Sequence, residues 1–322
     1  MKELIDPVGR RIRKLRISVV DACDFRCTYC MPEDVKFMRR KELLPRDELL
    51  RLAGILVDEG VEEIRLTGGE PTLRPDFVEI LKGLHQLRER GLKRLGLTSN
   101  GARLRRFLPD VKASGCDNLN ISLDSLDDDK FFAITKRNVG AEVKACIRDA
   151  SAMGFDVKVN AVVQKGVNDD ELDAFAHFSA DVGVEVRFLE MMKIGVAIDQ
   201  SDDLFISADD MLAQLSSWTH THEVRPKDST SYNFTMQLKD GSDDKRARVG
   251  FIASESKPFC DNCSRLRLSP KGVLRPCLMM NEGHSLVGLE RDAIVDKLHQ
   301  VMGMKPTHRL LQVLQPMVQI GG

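Results

Sequence analysis

Cysteine is the residue type whose placement in this chain asks for chemistry. Cys23, Cys27 and Cys30 stand in the spacing C-x3-C-x2-C, inside the run Cys23-Asp24-Phe25-Arg26-Cys27-Thr28-Tyr29-Cys30. Three thiolates this close can hold one soft metal centre. A structural zinc site or a complete cubane cluster draws four protein ligands. Three ligands leave one position open, which points to reaction rather than scaffolding. The plainer alternatives are a structural zinc or three incidental thiols in a surface loop. A second set, Cys260, Cys263 and Cys277, has the spacing C-x2-C-x13-C. From spacing alone, a zinc completed by His284 and an iron–sulfur cluster fit this set comparably well. Cys116 and Cys146 stand apart and read as small buried apolar residues.

Other polar groups gather near these thiols in the sequence. Arg265 and Arg267 alternate within a predicted strand, so both point to one face. They are either solvated edge residues or a site for a polyanion. Arg16 and Arg65 also lie on predicted strands, where inward arginines are costly unless paired. Charge-assisted hydrogen bonds contribute about 1.5–3 kcal/mol each, so three or four arginines could hold a triphosphate. Gly68-Gly69-Glu70-Pro71 reads on its own as a strand-to-helix turn that needs positive φ at glycine. Arg103, Arg105 and Arg106 read as a solvated helix start, Asp127-Asp128-Asp129 as a helix N-terminus, and His177 as a structural residue.

The elements that must position these groups alternate in type. Strands are predicted at 15–20, 64–67, 95–98, 119–124, 157–163 and 184–190. Helices are predicted from Pro45 to Gly60, over about 75–90, and at 141–153 and 169–182. This is the pattern of a parallel α/β sheet of βα units. Six units fall short of an eight-unit barrel but can form an open, partial one. The cysteines, Gly-Gly-Glu-Pro, Ser99-Asn100-Gly101 and Ser122-Leu123-Asp124 all follow carboxyl ends of strands, the active rim of such barrels. We therefore expect a partial barrel over 1–200 and a C-terminal α+β elaboration over 201–322. In the latter, a short helix near 208–217 carries Trp218, the strands 234–238 and 247–252 form a hairpin, the second cysteine set follows, and 286–301 is helical.

Composition narrows the class of function. The chain has 322 residues, 42% of them hydrophobic, and a formal net charge of −1. That balance argues against coating nucleic acid or an anionic membrane. No apolar run reaches the ~18 residues of a spanning helix. Close-set cysteines that are not paired as disulfides fit a reducing compartment, so the expectation is a cytoplasmic protein.

The first cysteine spacing, with an aromatic residue before its last member, resembles the signature of the radical S-adenosylmethionine (SAM) superfamily. The whole chain resembles one family within it, the GTP 3′,8-cyclases (MoaA) of molybdenum cofactor biosynthesis. The match is carried by Leu15-Arg16-Ile17-Ser18, the cysteine motif followed by Met31-Pro32, and Leu66-Thr67-Gly68-Gly69-Glu70-Pro71. It continues through Asn120-Ile121-Ser122-Leu123-Asp124, Arg187-Phe188-Leu189-Glu190-Met191-Met192, Phe-Cys-x-x-Cys-x-Arg-x-Arg at 259–267, Pro276-Cys277-Leu278 and the terminal Ile320-Gly321-Gly322. The resemblance implies two [4Fe–4S] clusters, one on each cysteine set, with SAM chelated by the first and guanine bound by the second. A 5′-deoxyadenosyl radical would take hydrogen from C3′ of GTP, and C3′ would then bond to C8.

Residue roles are carried over from the same resemblance. SAM would meet Tyr29, Gly69, Glu70, Ser122 and Met192. GTP would meet Arg16, Arg65, Thr98, Lys158, Arg265, Leu266 and Arg267. Arg265, Arg267, Gly321 and Gly322 would serve catalysis. An electron donor and a downstream cyclic pyranopterin monophosphate synthase are the implied partners, and a homodimer is compatible with a sequence that does not fix the oligomeric state. The rival readings are another radical SAM enzyme with an auxiliary cluster, acting on a peptide or another nucleotide, and a non-catalytic zinc protein. The chain departs from the family pattern at Val20-Asp21-Ala22, at Asp24, and at Ile134-Thr135-Lys136-Arg137-Asn138, where Ile-Thr-Gly-Arg-Asp is usual.

Overall fold

Apolar and polar residues alternate along the first strands, and this alternation decides which way the sheet faces. The computed structural model describes residues 2–224, 226–241 and 244–320. Its first strands are β1 (Lys14–Ser18), β2 (Glu63–Thr67), β3 (Arg94–Ser99), β4 (Asn118–Ser122), β5 (Asp156–Val163) and β6 (Glu185–Glu190). Between and beside them run α1 (Arg46–Glu59), α2 (Phe77–Gln86), α3 (Leu108–Ala113), α4 (Asp128–Thr135), α5 (Gly140–Ala152) and α6 (Leu172–Val182). One set of strand residues, including Leu15, Ile17, Ile64, Leu66, Leu97 and Ile121, is buried in one continuous core with the helices. Each such side chain contributes roughly 1.5–3 kcal/mol. The alternate set is polar: Arg16, Arg65, Thr98, Asn120, Asn160 and Arg187 share the other face. An inward face of this kind cannot pack on itself as an apolar barrel does, so it encloses a cavity.

The helices start and stop where their sequences direct. In α1, Asp47 and Glu48 fill the first turn, Leu49, Leu52, Ala53 and Leu56 are buried, and Gly60 ends it at φ +128. Asp127 caps α4, accepting from the backbone N–H groups of Asp129 and Lys130.

The C-terminal region supplies α7 (Ala208–Gln214), β7 (Trp218–Glu223), β8 (Tyr232–Leu238), β9 (Ala247–Ile252), β10 (Arg265–Leu268), β11 (Val273–Arg275), β12 (His284–Ser285) and α8 (Arg291–Gly303). These strands do not form a sheet of their own. The order across the main sheet is β12-β11-β10-β1-β2-β3-β4-β5-β6-β9-β8-β7. Both β10 beside β1 and β9 beside β6 pair in parallel. The six predicted strands are thus flanked by one further parallel strand at each edge, and the barrel stays open between β7 and β12. Two local expectations change. Trp218 opens β7 rather than sitting in the preceding helix, because Leu215 ends α7 and the indole N–H donates to Asp173 on α6. The last long helix begins at Arg291, not 286.

Loops at the carboxyl rim are held by buried carboxylates that accept backbone N–H groups. Glu171 receives Leu126 and Asp127. Glu190, at the end of β6, receives the backbone N–H groups of Ala208 at 2.9 Å, Glu255 at 2.8 Å and Ser256 at 2.9 Å. Replacing Glu190 by Leu leaves these donors unpaired inside the protein, each costing about 1–3 kcal/mol. Urea unfolding is expected to show that loss, with a smaller one for Glu190→Gln, which keeps one acceptor.

Candidate active site

The first cysteine loop leaves β1 and is gripped from two sides. The carboxyl end of α4 accepts from it: Arg26 N–H donates to the Thr135 carbonyl at 2.9 Å and Thr28 N–H to that of Ile134 at 3.0 Å. Lys136, just after, adopts φ +59, the sole positive φ of a non-glycine residue among the described residues. This is the position where the resembled family usually has glycine. From the other side, the strand exit at Gly68-Gly69 lies against Val20–Ala22, with Gly69 N–H donating to Val20 O at 2.7 Å and Glu70 N–H to Ala22 O at 2.8 Å. Neither glycine has positive φ, so the turn-geometry expectation gives way to close approach. A Cβ on Gly69 would stand 2.3 Å from Ala22 O and 2.4 Å from Asp21 O.

Glu70 is fully buried and accepts from Thr72 N–H, Thr72 Oγ1, Ser99 Oγ and Asn100 N–H. That network places Asn100, whose amide donates to Asp24 and reaches Cys23 Sγ at 3.8 Å. Tyr29 donates to Asp124 at 2.8 Å, and Asp124 also accepts from Val162 N–H. Burial pushes the Cys23 and Cys30 thiols up to about 12, reinforced by nearby anions, among them Glu70 beside Cys23 and Asp124 beside Cys30. These thiolates need a cationic centre before all three can be charged together.

The second set has the opposite surroundings. Burial would raise Cys263, but Arg265 and Lys305 bring it down to about 6. The Arg265 guanidinium donates to Cys263 Sγ at 3.3 Å and stacks over Phe259. Lys305 donates to the carbonyls of Arg265 and Pro276. Because β10 runs parallel to β1, with Arg265 opposite Lys14 and Leu268 opposite Ile17, Cys260 and Cys263 precede the same end of the sheet that the first cysteines follow at the other. The two sets therefore stand at opposite ends of one strand pair.

Between them lies a row of arginines. Register pairs Arg275 with Arg267, Arg267 with Arg16, and Arg16 with Arg65. Arg16 makes no hydrogen bond or ion pair among the described residues, and burial together with Arg267, Arg265 and Arg65 holds its pKa well below the usual value. Burial and Arg265 bring Arg267 down to about 10. Arg65 turns aside, donating to Leu97 O and Asn118 Oδ1. Gly96 makes room for it, since a Cβ there would meet the guanidinium at 2.9 Å.

One cavity joins these parts. It is lined by all six cysteines and by Tyr29, Gly69, Thr98, Ser122, Met192, Arg16, Arg265 and Arg267. Four expected contacts do not line it. Glu70 is occupied behind the rim, Arg65 lies on Asn118, Lys158 is paired with Asp156, and the Leu266 side chain is buried in the outer core. Gly321 and Gly322 lie outside the described residues. The cavity wall also contains residues to which motif reading assigned no ligand contact: Asn100 and Asp124 of the rim motifs, Asn120, Asn160, Arg187, Lys305 and Arg309. The Oδ1 atoms of Asn120 and Asn160 are buried acceptors without a partner among the described residues. Period-two polarity on β4, β5 and β6 was the signal for Asn120, Asn160 and Arg187.

This donor set fits two clusters and a polyanionic ligand. Among the described residues, no three His, Cys, Asp or Glu side chains converge tightly enough to hold a single metal ion, as a zinc site would require. A cubane, with irons at separate corners, asks for three thiols facing a shared volume.

Comparison with known proteins agrees with this geometry. Residues 17–179 match the model of the radical SAM superfamily, and residues 184–309 match Molybdenum Cofactor Synthesis C. A GTP 3′,8-cyclase from Synechocystis is 41% identical over 100% of this chain and 95% of its own length. The chain belongs to the GTP 3′,8-cyclase family of the radical SAM superfamily. A cyclase from Aquifex aeolicus is 38% identical, covering 88% of this chain and 87% of its own. The crystal structure of Streptococcus suis SuiB bound to precursor peptide SuiA aligns with a TM-score of 0.67 at 13% identity, over 91% of this chain and 66% of that one, a likeness of fold alone. Family membership brings with it a [4Fe–4S] cluster with SAM and a second, C-terminal cluster. No helix among the described residues is long and apolar enough to cross a membrane.

Two substitutions test how the first loop is held. Gly69→Ala forces the cysteine loop away from the strand exit, so iron analysis after reconstitution is expected to show loss of one cluster and retention of the other. Lys136→Gly removes a left-handed residue that costs about 1–2 kcal/mol, and its urea midpoint is expected to rise.

Proposed function

We propose that this protein converts GTP to (8S)-3′,8-cyclo-7,8-dihydroguanosine 5′-triphosphate, the first step of molybdenum cofactor biosynthesis. The observation that carries the reading is the placing of an arginine row between two three-cysteine sets on one cavity. Cys23, Cys27 and Cys30 would hold the cluster that works with SAM, and Cys260, Cys263 and Cys277 the second one. Together, cluster and SAM would supply the one-electron radical chemistry that removes hydrogen at C3′ of GTP, and closure of C3′ on C8 would be completed by one electron from the donor and one proton.

The protein's own groups bind, orient and shield. Arg16, Arg265 and Arg267 repel one another in the free site and would be neutralised by a triphosphate. Asn120 and Asn160 offer acceptors to ligand donors, and Ser122, on the same strand as Asn120, lies on the same wall. Glu70 fixes the Asn100 backbone, Asp24 holds its side-chain amide and Asp124 holds the Tyr29 hydroxyl, all beside the first thiols. Phe25 and Phe131, edge to face at 5.8 Å, close the apolar wall and exclude water from a radical path. A one-electron donor and a downstream cyclic pyranopterin monophosphate synthase complete the proposed setting.

The test is an anaerobic assay of reconstituted protein with SAM, a reductant, and GTP or ATP, read by mass spectrometry. Expected are 5′-deoxyadenosine and a cyclised product of GTP's mass with GTP alone. Deoxyadenosine without that product would overturn the substrate, and its absence from protein carrying both clusters would overturn the enzyme. Arg265→Ala and Arg267→Ala are expected to keep full iron content and lose cyclisation. Unchanged turnover in the double variant would remove these residues from the site.

A further inference from the structure

The main sheet has two free edges, and a loop from one of them reaches across to the far half. The connection between β7 and β8 leaves the sheet at the carboxyl end of β9, where Tyr232 pairs with Phe251. Its residue Asp228 meets Arg13, Lys14 and Ser264, which lie at the amino ends of β1 and β10. The contact is dense. Arg13 donates Nε to Oδ2 at 2.9 Å and Nη2 to Oδ1 at 2.9 Å. Lys14 Nζ lies 3.0 Å from Oδ2, and Ser264 Oγ donates to the same oxygen at 2.8 Å. The carboxylate is 17% exposed and its cationic partners 21% and 23%. The loop therefore crosses the open side of the barrel diagonally, and Thr230, two residues on, lines the cavity.

The anchor point matters because of what flanks it. Ser264 stands between Cys263 and Arg265, and its carbonyl accepts from both Arg13 N–H and Lys14 N–H at 3.0 Å. We propose that Asp228 is a positioning residue for the nucleotide site: it locks Ser264 against β1 and so sets Cys263 and Arg265 in register with Arg16. This rests on the cyclase reading above. Without the carboxylate, Lys14 loses its ion-pair partner and Arg13 is left to Glu63, and the loop's remaining side-chain tie to β1 or β10 among the described residues is the long bond from Lys14 Nζ to the Asp228 carbonyl at 3.4 Å.

The experiment uses the reconstituted full chain with both clusters, in wild-type, Asp228→Ala, Asp228→Asn and Asp228→Glu forms. Hydrogen exchange is followed without substrate, and steady-state kinetics with GTP and SAM. Expected for Asp228→Ala is faster exchange at residues 226–231 and 262–266, with 23–30 unchanged. The KM for GTP is expected to rise about tenfold with kcat and the KM for SAM nearly constant, the mark of lost binding rather than lost chemistry. Asp228→Asn, which keeps hydrogen bonds without charge, is expected to fall between, and Asp228→Glu to recover part of the loss. Unchanged exchange at 262–266, or equal losses toward GTP and SAM, overturns the proposal. A wild-type protein that shows these exchange properties but no turnover of GTP would overturn the cyclase reading instead.

Discussion

A buried carboxylate at the carboxyl rim is the device on which the loops of this barrel depend. The residues that do chemistry sit in loops with no ladder of their own, and their backbone N–H groups still require partners once buried. Glu70, Glu171 and Glu190 supply them, each accepting from a loop other than its own, while Asp124 accepts from Val162 N–H on β5. The clamps run sideways around the rim, so each loop is held by the next strand. A carboxylate suits this task because it accepts several bonds at once and strengthens each by its charge.

The barrel's interior follows the opposite rule. Its strands carry their apolar residues outward to the helices and leave arginines and amides inside, so the cavity is unfavourable when empty of polar ligand. The arginine row shows the compromise most clearly. Arg65 is satisfied by Asn118 and a carbonyl, while the Arg16 guanidinium, one strand away in the same register, has no hydrogen-bond or ion-pair partner among the described residues. The same polarity contrast separates the cysteine sets, with acids beside the first and bases beside the second.

Much of this was legible in the sequence because it rests on local period. Six strands, their helices and the rim motifs followed from apolar alternation and from the residues that end each element. The cysteine sets and Arg265 and Arg267 followed from spacing. What could not be read was long-range pairing. Nothing local in Arg265–Leu268 says that it lies beside β1, and nothing in Ala247–Ile252 distinguishes a hairpin strand from one that also extends the parallel array. The bonds of Glu70 to Ser99 and Asn100, one strand unit away, are of the same long-range kind. At Gly68 and Gly69 the turn reading gives way, because their lack of a side chain admits the chain beside them. Asn120 and Asn160 were within reach of the period-two rule and were passed over because asparagine in a strand is an unremarkable residue.

The join of β10 to β1 also orders the birth of the protein. The loop of Cys23, Cys27 and Cys30 draws most of its supports from α4, Gly69, Glu70, Asn100 and Asp124, all before β5, with the Val318 backbone added at Cys30. The arginine row needs a strand that leaves the ribosome only after all of β1–β6, and contacts of such sequence separation form slowly. The nascent barrel therefore holds Arg16 without its neighbours Arg265 and Arg267, and the end that carries Cys23, Cys27 and Cys30 can be shaped before the end that carries Cys260, Cys263 and Cys277 exists.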